Sequence, residues 1–291
     1  MKIGIIGMGL MGTSMAMALK KYIGDISIFG QDKDERHLNY VLTSNIIKEK
    51  LERTNSRELD LLFLAVPVKK TKEVLGAALP DLDIEKVLVT DMGSTKSYVC
   101  NEIKKEYPFI DFIGGHPMTG LELCGPEAAS SKLFRNRTYV LIEPENFETK
   151  LEIKKKLLVE ILKKIGAEVI MMNSDTHDEL TAVTSHLPHF LAASFVKEVI
   201  ETERKHPEVY RLMGQGFRDF TRIAGSNPDI WKDIFLTNRE FLLDKINKMN
   251  ENILLLRDIL HSKDEERLQE FLISTSAKRI SLKEKLKEVK I

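Results

Sequence analysis

Six short apolar segments, each followed by a stretch with helical or loop character, constrain the fold of this chain more than any other feature of its sequence. They are rich in β-branched residues and lie at 3–7 (IGIIG), 25–30 (DISIFG), 61–67 (LLFLAVP), 86–91 (KVLVTD), 109–115 (FIDFIGG) and 138–143 (TYVLIE). Nearly continuous apolar strands that alternate with helices are typical of a parallel sheet covered on both faces. We expect one more strand, EVIMMN (168–173), after the helical run 147–165, so that the sheet domain ends near Asn173.

The second half of the chain has a different pattern. From Ser174 onward no segment reads as a convincing strand, and long segments carry apolar residues at spacings of three and four. The clearest helical run is 234–260, whose main apolar face consists of Phe235, Leu242, Ile246, Met249 and Ile253. We therefore predict an α/β chain with a doubly wound, Rossmann-type domain over residues 1–173 and an all-helical domain over residues 174–291.

The composition argues against several classes of protein. A chain of 291 residues is too long for one ordinary core and suits two domains. The 44 Lys and Arg residues balance the 44 Asp and Glu residues, so no overall positive charge points to nucleic acid. No apolar run approaches the roughly eighteen residues that cross a bilayer, and the start of the chain reads as a strand, unlike a signal peptide. Cys100 and Cys124 match no metal spacing, so we expect no metal and a reduced, cytoplasmic setting.

A glycine-rich segment after the first strand predicts a dinucleotide site. Gly7, Gly9 and Gly12 form the pattern G-x-G-x-x-G with Leu10 and Met11, and the segment opens a helix. The glycines allow a tight turn and close approach of a pyrophosphate to the helix N-terminus. This context disfavours the alternative of a turn with incidental glycines.

Asp32 lies at the end of the second strand, twenty residues after Gly12. An acidic residue there would accept hydrogen bonds from the adenine ribose hydroxyls and repel a 2′-phosphate, so we expect NAD rather than NADP. Lys33 and Arg36 lie close by and weaken that preference, and the alternative role for Asp32 is a plain strand-end cap.

Two further segments follow strands, at the edge of the sheet where ligands bind in open α/β folds. Gly93–Lys96 (GSTK) contains Ser94, and Gly114–Met118 (GGHPM) contains His116. A histidine between glycines and a proline on such a strand-end loop is poorly explained by core packing. In the helical half, SHLPH (185–189) adds further histidines, each of which alone reads equally well as structural.

The segments GMGLMG, DMGSTK, GGHPMTGLE, TSHLPHFLA and GFRDFTRIAGSNPDIW occur in this order over nearly the whole chain. Together they resemble prephenate dehydrogenase and the related arogenate dehydrogenase. GGHP and the pair SHLPH with FRDFTRIA are far more specific than the glycine pattern. The loop after GGHPM departs from the resemblance, since Leu121, Leu123 and Cys124 stand where more polar residues are expected.

The resemblance implies oxidation of prephenate at C4, with hydride transfer to NAD+ and loss of CO2, to give 4-hydroxyphenylpyruvate in tyrosine biosynthesis. Aromatisation drives this reaction, so the protein needs a base for the hydroxyl proton and cations for the carboxylates. His116 is the expected base, and Ser94 would hydrogen-bond the same hydroxyl or orient the imidazole. Arg222 is expected to bind a substrate carboxylate. The other residues expected to bind or line the substrate are Ser185, His189, Trp231, His177 and Glu122.

Two alternatives remain, one within the oxidoreductases and one in another class of protein. A 3-hydroxyacid-type dehydrogenase would need a lysine acid with a nearby asparagine in the helical half, a pairing that SHLPH does not supply. A nucleotide-sensing protein without chemistry would not need His116 or Arg222.

The helical half is expected to form a homodimer. Leu236, Leu243, Leu254 and Leu255 lie off the main apolar stripe, so the 234–260 helix is apolar on several sides. A second copy can cover these sides through a two-fold interface, as in the resembling enzymes. The alternative is that the sheet domain covers them within one chain.

Overall fold

A computed structural model describes residues 1–120, 123–143 and 149–288, with side chains described up to residue 285. Its backbone groups into two compact units. The first is Met1–Asn238, and the second starts at Arg239. The predicted division at Asn173 stays a prediction.

The described residues of the first unit contain two β-sheets. The larger sheet is parallel throughout and has the strand order β3-β2-β1-β4-β5-β6. Its strands are β1 Lys2–Ile6, β2 Ser27–Gln31, β3 Glu49–Lys50, β4 Leu61–Leu64, β5 Leu88–Asp91 and β6 Phe112–Ile113. The smaller sheet consists of β7 Gly115–Pro117, β8 Thr138–Ile142 and β9 Glu168–Met172, with β7 antiparallel and β9 parallel to β8.

Ten described α-helices accompany these strands in the first unit. They are α1 Leu10–Tyr22, α2 Glu35–Thr43, α3 Arg53–Ser56, α4 Thr71–Ala78, α5 Ser97–Glu106, α6 Thr149–Lys164, α7 Ser174–Thr181, α8 Leu187–Lys205, α9 Gln215–Thr221 and α10 Pro228–Thr237. The second unit contains α11 Arg239–Ser262 and α12 Glu265–Glu288.

The apolar runs form the centre of the larger sheet because they are buried on both of its faces. Within β4, Leu61 and Phe63 pack into one apolar cluster, whereas Leu62 and Leu64 pack into another. The strand order reverses beside β1, which has β2 on one side and β4 on the other. Such a reversal opens a crevice at the carboxyl ends of the strands. The predicted Rossmann-type fold is thus confirmed.

The segment 109–115, expected to be one strand, is divided between the two sheets. β6 ends at Ile113 and β7 begins at Gly115, so His116 lies within a strand and not on the expected strand-end loop. The glycines permit this close packing: a Cβ at Gly114 would lie 2.8 Å from Cys100 Sγ, and one at Gly115 would lie 2.6 Å from the Asp91 carbonyl oxygen. The two-residue strand β3 was not predicted, because Glu49–Lys50 lacks the apolar pattern of a strand.

The helical half is confirmed, since residues 174–288 as described contain no strand. The run expected at 234–260 is broken at Asn238, which ends α10. A π-helical turn at Ala182–His186 precedes α8. Pro188, in the first turn of α8, cannot donate the backbone hydrogen bond of a regular helix. In the described parts of the chain, no helix has the length and apolar character required to span a membrane.

Replacing Gly12 by alanine is expected to destabilise the protein much more than replacing Gly9. A Cβ at Gly12 would lie 1.8 Å from the Gly7 carbonyl oxygen, a backbone atom that cannot rotate away, whereas a Cβ at Gly9 would meet nothing within 4 Å. Forced overpacking costs about 1–3 kcal/mol, while a change into open space stays within about 0.5 kcal/mol. Urea unfolding of both variants measures the difference, and equal stabilities would contradict the tight packing of α1 on the glycine loop.

Candidate active site

The glycine loop has the geometry of a dinucleotide cradle. Gly7 has a φ of +98°, and a Cβ there would lie 2.3 Å from the Ala65 carbonyl oxygen, so only glycine makes this turn without strain. Gly9 caps α1 without a side-chain hydrogen bond and faces open space. An anion beside Gly9 would meet the N-terminal end of α1, where Leu10 and Met11 begin the helix.

Asp32 follows β2 and joins it to the glycine loop. Its Oδ2 accepts a hydrogen bond from the Met8 N–H at 2.6 Å, and its Oδ1 accepts one from the Asp34 N–H at 2.8 Å. His37 Nδ1 also lies 3.5 Å from Oδ2. An ionised carboxylate has about four acceptor positions, and those that are left can bind ribose hydroxyls. Arg36 is held by Asp34, at 3.0 and 2.7 Å from its two carboxylate oxygens. The residues present therefore fit an NAD-type dinucleotide.

His116 is linked through His177 to a buried carboxylate. The distance from His116 Nδ1 to His177 Nε2 is 2.7 Å, and His177 Nδ1 lies 2.7 Å from Asp178 Oδ1. His177 and Asp178 are each 1% exposed. Burial lowers the pKa of His116 well below its usual 6.5, and the charges of His177, Lys96 and His186 lower it further. His116 is therefore an unprotonated base at neutral pH.

A buried ion pair holds the two strand-end segments together. Asp91 and Lys96 are both fully buried, and their side chains form a salt bridge. Asp91 accepts hydrogen bonds from the N–H groups of Gly93 and Gly115 at 2.8 and 3.0 Å. Lys96 donates to the Gly115 carbonyl oxygen at 2.8 Å. The segment containing the half-buried Ser94 and the strand containing His116 are thus fixed to one another.

In the helical half, the rings of two histidines pack against Trp231. His189 and Trp231 lie face to face, with centroids 3.6 Å apart and planes inclined by 13°. Burial lowers the pKa of His189 to about 4, and its buried Nδ1 has no hydrogen-bond partner among the described residues. His186 meets Trp231 edge-on and pairs through Nδ1 with Asn238 Nδ2 at 2.9 Å. Because the Asn238 amide donates, His186 Nδ1 must accept.

The remaining expected site residues lie on separate elements. Ser185 is half-buried in the π-helical turn, and Arg222 is exposed at the start of a 3₁₀ turn, Arg222–Gly225, which packs against α8. Glu122 lies outside the described residues. The structure therefore pairs His116 with His177 and His189 with Trp231, while the roles expected for all these residues stay predictions.

Sequence reasoning missed four residues of this region: Asp91, Lys96, Asp178 and Asn238. Each acts through long-range contacts, such as the 2.8 Å hydrogen bond from the Lys96 N–H to Asp178 Oδ1 across 82 positions of sequence. The one local signal was the position of Asp91 and Lys96 on either side of the GST segment, at the end of an apolar strand.

Comparisons with known proteins agree with this architecture. Residues 15–171 match a family model described as the nucleotide-binding domain of prephenate dehydrogenase, and residues 173–274 match its dimerization domain. The prephenate dehydrogenase of Lactococcus lactis subsp. cremoris is 35% identical over 274 residues, which cover 93% of this chain and 74% of that protein. The cyclohexadienyl dehydrogenase of Zymomonas mobilis subsp. mobilis is 32% identical over 288 residues, covering 97% and 96%.

A solved structure is similar over the same length. The crystal structure of prephenate dehydrogenase from A. aeolicus in complex with hydroxyphenyl propionate and NAD+ superposes with a TM-score of 0.88 at 29% identity, covering 97% of this chain and 98% of that one. Sequence and structure thus lead to the same assignment. This chain is an enzyme of the prephenate dehydrogenase family.

Proposed function

We propose that this enzyme oxidises prephenate at C4 with NAD+ and that loss of CO2 then yields 4-hydroxyphenylpyruvate. The reaction belongs to tyrosine biosynthesis, and the proposed location of the enzyme is the cytoplasm. The observation that carries the proposal is the position of His116. Its unprotonated imidazole is hydrogen-bonded to His177 and lies on β7, where the Gly115 N–H donates to Asp91 at the end of β5. Oxidation of an alcohol requires such a base.

Each side chain of the site is assigned one role in this reaction. Bound NAD+ supplies the hydride acceptor. His116 takes the proton of the 4-hydroxyl, and Ser94 hydrogen-bonds the same hydroxyl or orients the imidazole. Arg222 binds a substrate carboxylate, for which its planar guanidinium can form two parallel hydrogen bonds. Ser185, and His189 stacked on Trp231, line the pocket that holds the ring and the side chain of the substrate.

Asp32 is proposed to select NAD+ over NADP+. Its carboxylate would repel a 2′-phosphate, and Arg36, one of the cations that could offset that charge, is already bound by both oxygens of Asp34. The hydrogen bonds that Asp32 accepts from Met8 and Asp34 fix the carboxylate beside the glycine loop.

Prephenate is the proposed substrate and arogenate the alternative. Arogenate has an ammonium group where prephenate has a keto group, and an ammonium that leaves water without an acceptor costs several kcal/mol. The pocket residues of the helical half, Ser185, His189, Arg222 and Trp231, include no carboxylate, and Glu122 is the one acid among the expected pocket residues that could reverse this preference. Asp178 is buried and already accepts hydrogen bonds from two backbone N–H groups and from His177.

We also propose that two copies form a homodimer. The matched dimerization domain extends to residue 274, and in α12 the apolar side chains of Leu272, Ile273 and Ile280 are 55%, 60% and 61% exposed. Exposed apolar residues concentrated on one helix mark a protein interface.

Purified enzyme is expected to reduce NAD+ in the presence of prephenate, with a higher kcat/KM for prephenate than for arogenate. The absorbance of NADH reports both rates, and the same assay with NADP+ tests the role of Asp32. A ratio in favour of arogenate would reassign the substrate. Failure to oxidise either compound would refute the proposed function.

His116→Asn should lower kcat by ~10²–10⁴-fold, because it removes the base. In the wild type, protonation of His116 abolishes its lone pair, so kcat falls as the pH drops through the pKa of this histidine. Since burial lowers that pKa, the acidic limb of the kcat profile should lie below pH 6.5 and should be absent from the variant. His206→Asn, a matched change at an exposed histidine, should leave the profile intact. Turnover of His116→Asn close to wild type would exclude His116 as the base.

Light scattering at micromolar concentration should give twice the monomer mass. Leu272→Glu places a charge on the apolar face of α12 and should shift the mass towards the monomer, because a buried unpaired carboxylate is costly. Ser274→Glu, two residues further along the same helix, points to a different side and should remain dimeric. A monomeric wild type would contradict the proposed dimer.

A further inference from the structure

Both carboxylate oxygens of Asp178 have hydrogen-bond partners. Its Oδ1 accepts from the Lys96 N–H at 2.8 Å and its Oδ2 from the Ser97 N–H at 2.8 Å, at the start of α5. Oδ1 also lies 2.7 Å from His177 Nδ1. The hydrogen bonds from His177, Lys96 and Ser97 outweigh the effect of burial and lower the pKa of Asp178. The carboxylate is therefore ionised and can only accept.

An ionised Asp178 determines which nitrogen of each histidine carries a proton. His177 Nδ1 must donate to the carboxylate, so in the neutral ring Nε2 is unprotonated and accepts. The partner of that nitrogen is His116 Nδ1, at 2.7 Å. His116 Nδ1 must then be the donor, which leaves the lone pair of His116 on Nε2.

We propose that Asp178, acting through His177, is the positioning pair that holds His116 in the Nδ1–H tautomer and so presents the Nε2 lone pair to the substrate hydroxyl. This assigns His177 to positioning instead of substrate binding, because both of its ring nitrogens are engaged within the protein. The catalytic meaning of the pair rests on the proposed function, whereas the tautomer of His116 does not.

The opposite tautomer is disfavoured by the same contacts. If the proton of His177 were on Nε2, its unprotonated Nδ1 would face the Asp178 carboxylate, and the hydrogen bond to that charged group would be lost. Such a bond contributes about 1.5–3 kcal/mol, which corresponds to a tautomer ratio of roughly 10–150.

Backbone contacts around Asp178 also disfavour rotation of its side chain. Asn238 Nδ2 donates to the Asp178 carbonyl oxygen at 2.8 Å, and the carboxylate binds two N–H groups at the start of α5. Rotation would leave those N–H groups buried without partners. The orientation of His116 thus depends on the contact between α5 and α7.

The lone pair that this arrangement leaves free is on His116 Nε2, and a proton on His116 removes it directly. The charged or titratable groups around the two histidines are Asp178, Asp91, Lys96 and His186.

The first test uses ¹⁵N NMR of the histidine rings in the ligand-free wild-type protein near neutral pH. The inference requires His116 to be protonated on Nδ1 and unprotonated on Nε2, and His177 to be protonated on Nδ1. A His116 protonated on Nε2 would overturn it. This measurement needs neither cofactor nor substrate, so the expected tautomer without prephenate oxidation would refute the proposed function alone.

The second test compares His177→Gln with His177→Leu. The glutamine Oε1 can take the place of Nε2 as the acceptor for His116 Nδ1, whereas leucine offers none. We expect kcat of the glutamine variant within about 10-fold of wild type and that of the leucine variant about 10²-fold lower, with KM for NAD+ unchanged in both. In ¹⁵N spectra, His116 should keep its tautomer in the glutamine variant and show a mixture in the leucine variant.

Thermal unfolding of both variants separates positioning from a merely structural role. If the loss of kcat followed the loss of stability and was equal for glutamine and leucine, the pair would be structural and the inference would fail. A large difference in kcat between variants of similar stability would support it.

Discussion

The buried ion pair of Asp91 and Lys96 is the interaction on which the site depends. Both side chains are fully buried, and together they bind the backbone of Gly93 and Gly115, where the larger sheet ends and the smaller one begins. Breaking such a pair by removing one partner costs about 3–5 kcal/mol, because an uncompensated charge remains. The two sheets are thus joined through charge as well as through the chain at Gly114.

Lys96 also affects His116, which it helps to position. The charge of Lys96 is one cause of the lowered pKa of His116, while its backbone N–H binds Asp178, which orients His177. Burial alone would lower the pKa of His116 but would not orient the ring. Two sets of causes therefore act on His116. Burial, with the charge of Lys96 among the further causes, keeps it unprotonated, and the Asp178 contact determines which nitrogen is free.

The sequence was most informative where structure follows from local pattern. The apolar strands, the glycine loop at 7–12 and the change to helices near Ser174 each depend on residues close together in the chain, and each was predictable. The separate sheet was not, because β7 and β9 find their partner only through pairing with β8. The role of Asp178 was equally hidden, since its two backbone donors lie more than eighty positions away and a buried carboxylate has no periodic signature.

The order of strands explains how one chain can bring a dinucleotide and a base together. β1 ends at the glycine loop and β5 ends at Asp91, and both run parallel with β4 between them. Because neighbouring strands lie about 4.8 Å apart, the two strand ends are roughly 10 Å from one another along one edge of the sheet. A dinucleotide held at the first can reach the second, where Asp91 fixes the strand of His116. On the proposed function, the sheet sets the separation of base and cofactor, and the helical residues need only orient the carboxylates of the substrate.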